Sequence, residues 1–522
     1  MKNLLFLLFL VSIFVEGISQ NKPDDVYILA GPEIKTKKKE FIDKIIGKDE
    51  NGTYVMAKYK SLITLFYYDN ELNMSRKNSF KLEFENHDLS YRGIKQMGDD
   101  FFLFTTYRDK KLKITYLYSQ KLNRKTLAFS KPKELAKSSY GGYRKRQSPS
   151  YSFVVSADSN YLMFITDLPS NKDESDRFGL IVYDENMREI WSKKSVEVEE
   201  TEYNFYRYDA QIGNDGKVYL LAKIYDKSRK YKRGEIDYTF EMLVYEEETD
   251  EPERFDVSIE GKFMSDVTFE RTDNGDIQVV GFFSDKAGVQ SGVFNLLIDG
   301  ESYTSSNQET TEFPTDFIVQ HSSEKEKKKA RRKEAKGKKI AFYSYDIDEL
   351  VENPDGTITM IGEQYRYYQT CHTDANGNQS CTNHYIYGNI IIVKFDENGE
   401  TEWMELIPKF QHTTNDGGYY SGYALAQLPN GDLKLIFNDE PRNNYYNQNG
   451  KFYTWSRNRR KTDIIMYDIK TEGRIERYTL FNSSTEDVMS RPKVSVQIDE
   501  NEIIILGESK KTTKFFKLIF EE

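Results

Sequence analysis

A chain of 522 residues with 84 Asp and Glu against 74 Lys and Arg has a net charge of −10, which argues against nucleic-acid binding. Only 38% of it is hydrophobic and the mean hydropathy is −0.71, yet 38 Tyr and 33 Phe supply wide rings suited to packing between twisted sheets. The length suggests about three ordinary domains, unless a repeat adds layer after layer to one continuous core.

The first residues read as an export signal. Lys2 precedes an apolar run, Leu4 to Val15, broken only by Ser12, and Gly17 and Ser19 place small residues before Gln20. Residues 1–19 are therefore expected to be a signal peptide. The run is shorter than the about 20 residues that a membrane helix needs, and no other stretch approaches that length. No cysteine follows it for lipid attachment. The mature chain is expected to be exported, periplasmic or extracellular, and soluble, with no transmembrane segment.

Asp25 to Gly31 (DVYILAG) reads as a strand with no hairpin partner nearby. From Phe41 onward one pattern recurs: a tight turn, an apolar strand, and a second strand closed by an aromatic or aliphatic residue and then an acidic or hydroxyl one. The closing marks are Tyr68-Asp69, Tyr118-Ser119, Tyr183-Asp184, Tyr245-Glu246, Ile298-Asp299, Phe395-Asp396, Tyr467-Asp468 and Phe520-Glu521. Turns such as Asn214-Asp215-Gly216, Asn274-Gly275-Asp276 and Asn430-Gly431-Asp432 introduce the preceding strand, with Gly where positive φ is cheap. Asn389 to Leu406 shows the unit well. Ile390 to Phe395 is a doubly buried strand, Asp396 to Gly399 a turn, and Glu400 to Leu406 an alternating outer strand.

Eight such units of four strands, A to D, predict an all-β chain: a β-propeller of four-stranded antiparallel blades, eight in number with seven as the alternative. The expected blades run Phe41–Phe84, Ser90–Pro132, Tyr151–Val198, Phe205–Ile259, Met264–Glu312, Tyr343–Pro408 and Ser421–Leu480. The last unit, Lys493–Phe520, supplies three strands. The orphan strand near the N-terminus would complete it, closing the ring in a way that resembles WD40-type and PQQ-type propellers. Residues 20–522 are thus expected to form a single propeller domain with a charged insertion at about 313–340.

Two outer hairpins, Tyr183 to Trp191 (YDENMREIW) and Phe395 to Trp403 (FDENGETEW), resemble PQQ-type repeats. In that family an acidic residue opens the turn and a tryptophan docks between neighbouring blades. The resemblance implies blade architecture. It carries no matched cofactor residues, and no cofactor is expected.

Because strands alternate in direction, the A–B and C–D turns share one face and the B–C and D–A connections share the other. The long connections, Tyr225 to Tyr238, Glu363 to Tyr387, Asn438 to Thr462 and the insertion Phe313 to Ile340, all belong to the second face. Rigid scaffolds place binding on such loops. Candidate binding residues are Tyr365, Arg366, Tyr367 and Tyr368, then Tyr419 and Tyr420, then Tyr445, Tyr446, Tyr453, Trp455, Arg457, Arg459 and Arg460. Aromatic faces interleaved with Arg can stack on sugars or anchor a protein; the same rings can instead pack on one another to hold the loops.

Ser322 to Lys339 contains ten Lys or Arg against three Glu. Lys327, Lys328, Lys329, Arg331, Arg332 and Lys333 are expected to form a basic arm for an acidic surface, or else a solvated, partly helical linker in which Glu324 pairs with Lys328. Cys371 and Cys381, the only cysteines, bracket Asp374 to Asn378 and predict a local disulfide. The five histidines, His87, His321, His372, His384 and His412, show no metal-ligand spacing, and no nucleophile elbow or phosphate loop is present. The chain therefore reads as an exported, non-enzymatic propeller that binds an envelope protein or glycan through its long-loop face. The alternative is a carbohydrate-active enzyme, a glycoside hydrolase or polysaccharide lyase, with its site at the channel mouth. Convergent carboxylates in a deep pocket would favour the enzyme, and an aromatic surface would favour binding.

Overall fold

The computed structural model describes residues 23, 25–35, 40–139, 150–168, 177–197, 203–226, 234–272, 274–445, 452–482, 486–510 and 512–521. The expected signal peptide, Tyr446 and the middle of the 225–238 connection lie outside these residues. The described chain is a β-propeller fold. Eight antiparallel sheets of four or more strands follow one another in chain order, each built mainly of sequence neighbours, and the last also takes in a strand from near residue 26.

The recurring acidic mark has a local cause. Oδ1 of Asp396 accepts the backbone N–H groups of Asn398 and Glu400, both at 2.9 Å. Asp184 does the same for Asn186 and Arg188, and Asp69 for Glu71 and Asn73. A carboxylate two and four residues ahead of these donors folds the C–D turn by itself. At Gly399, with φ of 82°, a Cβ would also meet the Asn295 side chain at 3.2 Å.

Burial rises from the edge of each sheet to its middle. Ile277–Ser284, a B strand, is buried at every position, whereas the outer strand Ser305–Glu312 only alternates between exposed and half-buried. The core is accordingly a succession of inter-sheet interfaces. Val280, Phe282 and Val293 of the fifth sheet pack with Met360, Ile391 and Val393 of the sixth. Val55, Ala57 and Phe66 of the first pack with Ile504, Leu506 and Phe515 of the last. Trp191 and Trp403 dock as the PQQ-type resemblance implies, donating from Nε1 to Gly216 O and Thr471 O of the following sheet at 3.2 and 3.0 Å. The orphan strand, Val26–Ala30, pairs antiparallel with Thr512–Phe520, from Val26↔Phe520 to Ala30↔Phe516.

Two segments differ from expectation, and a third takes one of its two expected forms. The second sheet extends past Pro132, and its outer strand is Lys133–Ser139. Asn123 Oδ1 accepts from the N–H groups of Lys125 and Thr126, which folds the chain early into a turn. Pro132 lacks the N–H a ladder needs, so the outer strand starts after it. The Glu363 to Tyr387 connection is a β-arm, because the strands Ile358–Thr373 and Gln379–Phe395 run on into it. The insertion folds as two helices, Thr315–Ile318 and Glu324–Glu334, the second opened by a Ser323–Glu326 capping box. Its Glu324 pairs with Lys327 at 3.2 Å, in place of Lys328. Among the described residues no helix is long and apolar enough to cross a membrane.

Candidate functional site

The arm rises from the B and C strands of the sixth sheet, with Tyr365 opposite Tyr387 at its base and Thr373 opposite Gln379 at its end. Cys371 and Cys381 face each other in this register, 4.1 Å apart at Cα, and are disulfide-bonded. The tip is a turn in which Asp374 Oδ1 accepts from the N–H groups of Asn376 and Asn378. Alternation sorts the aromatic residues into two rows. Tyr365–Tyr387 and Tyr367–Tyr385 pair on one face, with centroids 4.9 and 5.3 Å apart. On the other face Tyr368 stacks on His384 at 4.4 Å, with the Arg366 guanidinium 5.1 Å from the Tyr368 ring. The rings hold one another in place and still meet solvent, Tyr367 being 50% exposed.

Gln411–Thr414 pairs with His384–Tyr387 and ties the arm to the seventh sheet. Behind it, the predicted binding residues divide. Trp455 is fully buried and donates from Nε1 to Thr462 Oγ1 at 2.9 Å, so it supports the 452–462 stretch from inside. Tyr419 and Tyr420 donate to the buried Glu508 at 3.3 and 3.2 Å, and the Arg491 guanidinium donates to the same carboxylate at 3.2 Å. Burial and Glu508 together push the Tyr420 phenol up to about 12. Arg459 is paired with Asp487 at 2.5 Å. The Arg457 guanidinium lies 5.3 Å from the Tyr420 ring, and Tyr453 stacks against Arg442 at 4.0 Å. Tyr445, 54% exposed, and Arg460 face outward with the arm residues Arg366 and Tyr367. In the basic helix Lys328, Lys329, Arg332 and Lys333 are exposed, while Arg331 is paired with Asp316 at 2.9 Å.

A second constellation lies in a cavity between inner strands, where a propeller would have its channel. The inner strands Phe263–Arg271 and Tyr345–Glu352 carry Glu270, Asp348, Glu349 and Glu352 into a cavity of about 710 Å³, joined by Glu363, Tyr423 and Lys493. Burial pushes Glu270 and Asp348 up to about 7 and the neighbouring Asp266 up to about 6. Asp348 is exposed at the cavity wall, yet burial among its surroundings together with Glu363 raises it. Its Oδ2 accepts from the Tyr423 hydroxyl at 2.9 Å. Glu363 and Lys409 are both buried, 2.5 Å apart; burial drives the carboxyl up and the amine down, and their attraction opposes both shifts. Lys409 Nζ also donates to Gly388 O at the arm base, and Lys493 Nζ donates to the Tyr387 hydroxyl at 2.7 Å.

Sequence reasoning singled out none of these acids, since 84 acidic residues make proximity by chance certain. The available signal was their place in the first strand of a unit, the strand that faces the channel. His384 Nδ1 and His412 Nε2 are 3.0 Å apart, but among the described residues no group of three or more His, Cys, Asp or Glu is placed to hold a metal ion.

No protein-family model and no curated protein matches the chain. Similar solved structures are distant. The WD40 domain of SCAP from fission yeast shares 7% identity at a TM-score of 0.40, over 96% of this chain and 97% of that one. The β-propeller domain of the Trilobed protease from Pyrococcus furiosus shares 8% identity at 0.34, over 85% and 94%. Prolyl oligopeptidase B from Galerina marginata shares 10% identity at 0.38, over 90% of this chain but 55% of its own. The fold is read from the strand pairing itself, and these likenesses carry nothing about activity.

Proposed function

We propose that the chain is an exported, non-enzymatic propeller that binds a protein partner of the cell envelope through its long-loop face. The observation that carries this reading is the arm, a disulfide-tied hairpin whose aromatic rows are ordered before any ligand arrives. Preorganised aromatic residues lose little conformational freedom on binding, which is what an anchor requires. Beneath the arm the charged groups are occupied with one another: Glu508 with Tyr419, Tyr420 and Arg491, and Glu363 with Lys409. Such groups support a surface and are poorly placed to exchange protons with a substrate. The disulfide accords with an oxidising compartment. The exposed lysines of Glu324–Glu334 would add attraction to an acidic partner surface.

A second reading rests on the channel, where raised acids such as Glu270 and Asp348 converge in a cavity, as a general acid of a glycoside hydrolase or polysaccharide lyase would. Capture from an envelope extract separates the two. The pair Tyr367→Ala and Tyr445→Ala should cut capture about tenfold, and the pair Glu270→Gln and Asp348→Asn should leave it unchanged. Capture that survives loss of both tyrosines sinks the binding reading. Shortening of envelope polysaccharide by the wild type, abolished by the channel pair, would establish the enzyme.

A further inference from the structure

The outer side of the arm ends a ladder abruptly. The inner strand Tyr345–Glu352 pairs with Ile358–Thr373 only as far as Tyr345↔Gln364, followed by one more bond, from Tyr365 N–H to Ser344 O at 2.8 Å. Ser344, at φ of 59°, then turns the preceding chain away, and Phe342 pairs with Gln290 of the fifth sheet. Beyond Tyr365 no strand among the described residues lies on this side. Because Tyr365 N–H points outward and the register is unbroken to Thr373, alternation turns the N–H groups of Tyr367, Gln369 and Cys371 outward too. The N–H groups of Arg366, Tyr368 and Thr370 point to the other strand of the arm.

This edge carries none of the usual protections. Natural edges are blunted by charge, proline or bulges. The outer strands Met74–Lys81, Lys133–Ser139 and Glu189–Glu197 carry several charges each, whereas Tyr367 to Thr373 contains no Asp, Glu, Lys, Arg or Pro. The disulfide at Cys371 ties the two strands of the arm together near the end of this edge.

We infer that the free edge from Tyr367 to Thr373 takes an extended segment of the partner protein as an added antiparallel strand, a mode that rests on the partner-binding reading above. The segment fills the place that the chain leaves at Ser344. Its direction brings its C-terminal end to the exposed Arg366, where acidic residues are favoured. Alternate apolar side chains lie on the Tyr367–Tyr385 row. A second copy of this chain is the poorer occupant, because each copy brings a net charge of −10.

The test uses the full oxidised chain against a displayed library of random peptides, followed by amide hydrogen exchange. Selected peptides should alternate apolar residues, lack proline, end in acidic residues, and newly protect the amides of Tyr367, Gln369 and Cys371. Gln369→Pro removes one outward donor without touching the ladder within the arm. It should weaken these peptides about tenfold, whereas Gln369→Ala should not. Should Gln369→Pro disturb the arm, the exchange pattern of the wild type still decides. A library without binders, peptides that protect none of the three amides, or self-association abolished by Gln369→Pro would each overturn the inference. Extract capture that falls with Tyr367→Ala but not with Gln369→Pro would leave the binding face intact and remove only the added strand.

Discussion

Asp348 shows how one residue type takes a different character from its position. Its carboxyl lines the cavity and accepts a hydrogen bond from Tyr423, and burial and Glu363 raise it to about 7. A group whose folded pKa lies above its unfolded value contributes fully below the unfolded pKa. As pH rises past about 4 the unfolded chain releases this proton while the folded chain retains it, so the contribution is lost up to about 7. Glu270, also at about 7, and Asp266, at about 6, act in the same sense. Stability should therefore be lower at pH 8 than at pH 5, the loss falling between about pH 4 and pH 7. Asp348→Asn should reduce that loss and, because cavity water already screens the charge, raise the melting temperature at pH 8 by only about 1–2 °C. Calorimetry at the two pH values checks it; an unchanged loss would mean that the cavity is too wet to raise Asp348.

At the scale of the element, the arm is held by a local bridge. A disulfide closing so short a loop contributes under about 3 kcal/mol, and against local fraying more than global unfolding. Replacing Cys371 and Cys381 together by Ser should speed amide exchange between Thr370 and Thr382 while the global melting temperature moves by no more than about 2 °C. A large fall in melting temperature would make the arm part of the cooperative core. The hairpins were legible in the sequence because their cause is local: Asp69, Asp184 and Asp396 each fold their own turn. The arm was legible only as a connection. Gln369 to Thr373 is polar and weakly alternating, and its strand character comes from Gln379–Thr382 across the ladder. Trp455 misled for a related reason, since an indole suits a buried support and an exposed contact equally well. The raised acids Asp266, Glu270 and Asp348 come from sheets five and six side by side, which no single stretch of sequence records.

For the molecule as a whole, the join between Val26–Ala30 and Thr512–Phe520 is the test of ring closure. Each buried backbone group left unpaired costs about 1–3 kcal/mol, and several together rival the about 5–15 kcal/mol margin of a domain. Deleting Asp25 to Gly31 should therefore expose the Thr512–Phe520 edge and cause aggregation by edge pairing. Light scattering and melting temperature report it. A truncated chain that stays monomeric with an unchanged melting temperature would mean that this pairing does not close a ring.

The same join sets an order in time. Val26–Ala30 is made before Ile42 and everything that follows, yet its hydrogen-bonding partners are Phe516 to Phe520. A ribosome or a translocation pore delivers the early strand long before the late one, so the first sheet to begin is the last to be finished. Through that interval the seven intervening sheets can form from neighbours in sequence, while the chain holds one apolar strand, VYILA, without its mate. Folding of this protein thus has a step that cannot begin until the Thr512–Phe520 strand has been made, and until then the early strand waits unpaired.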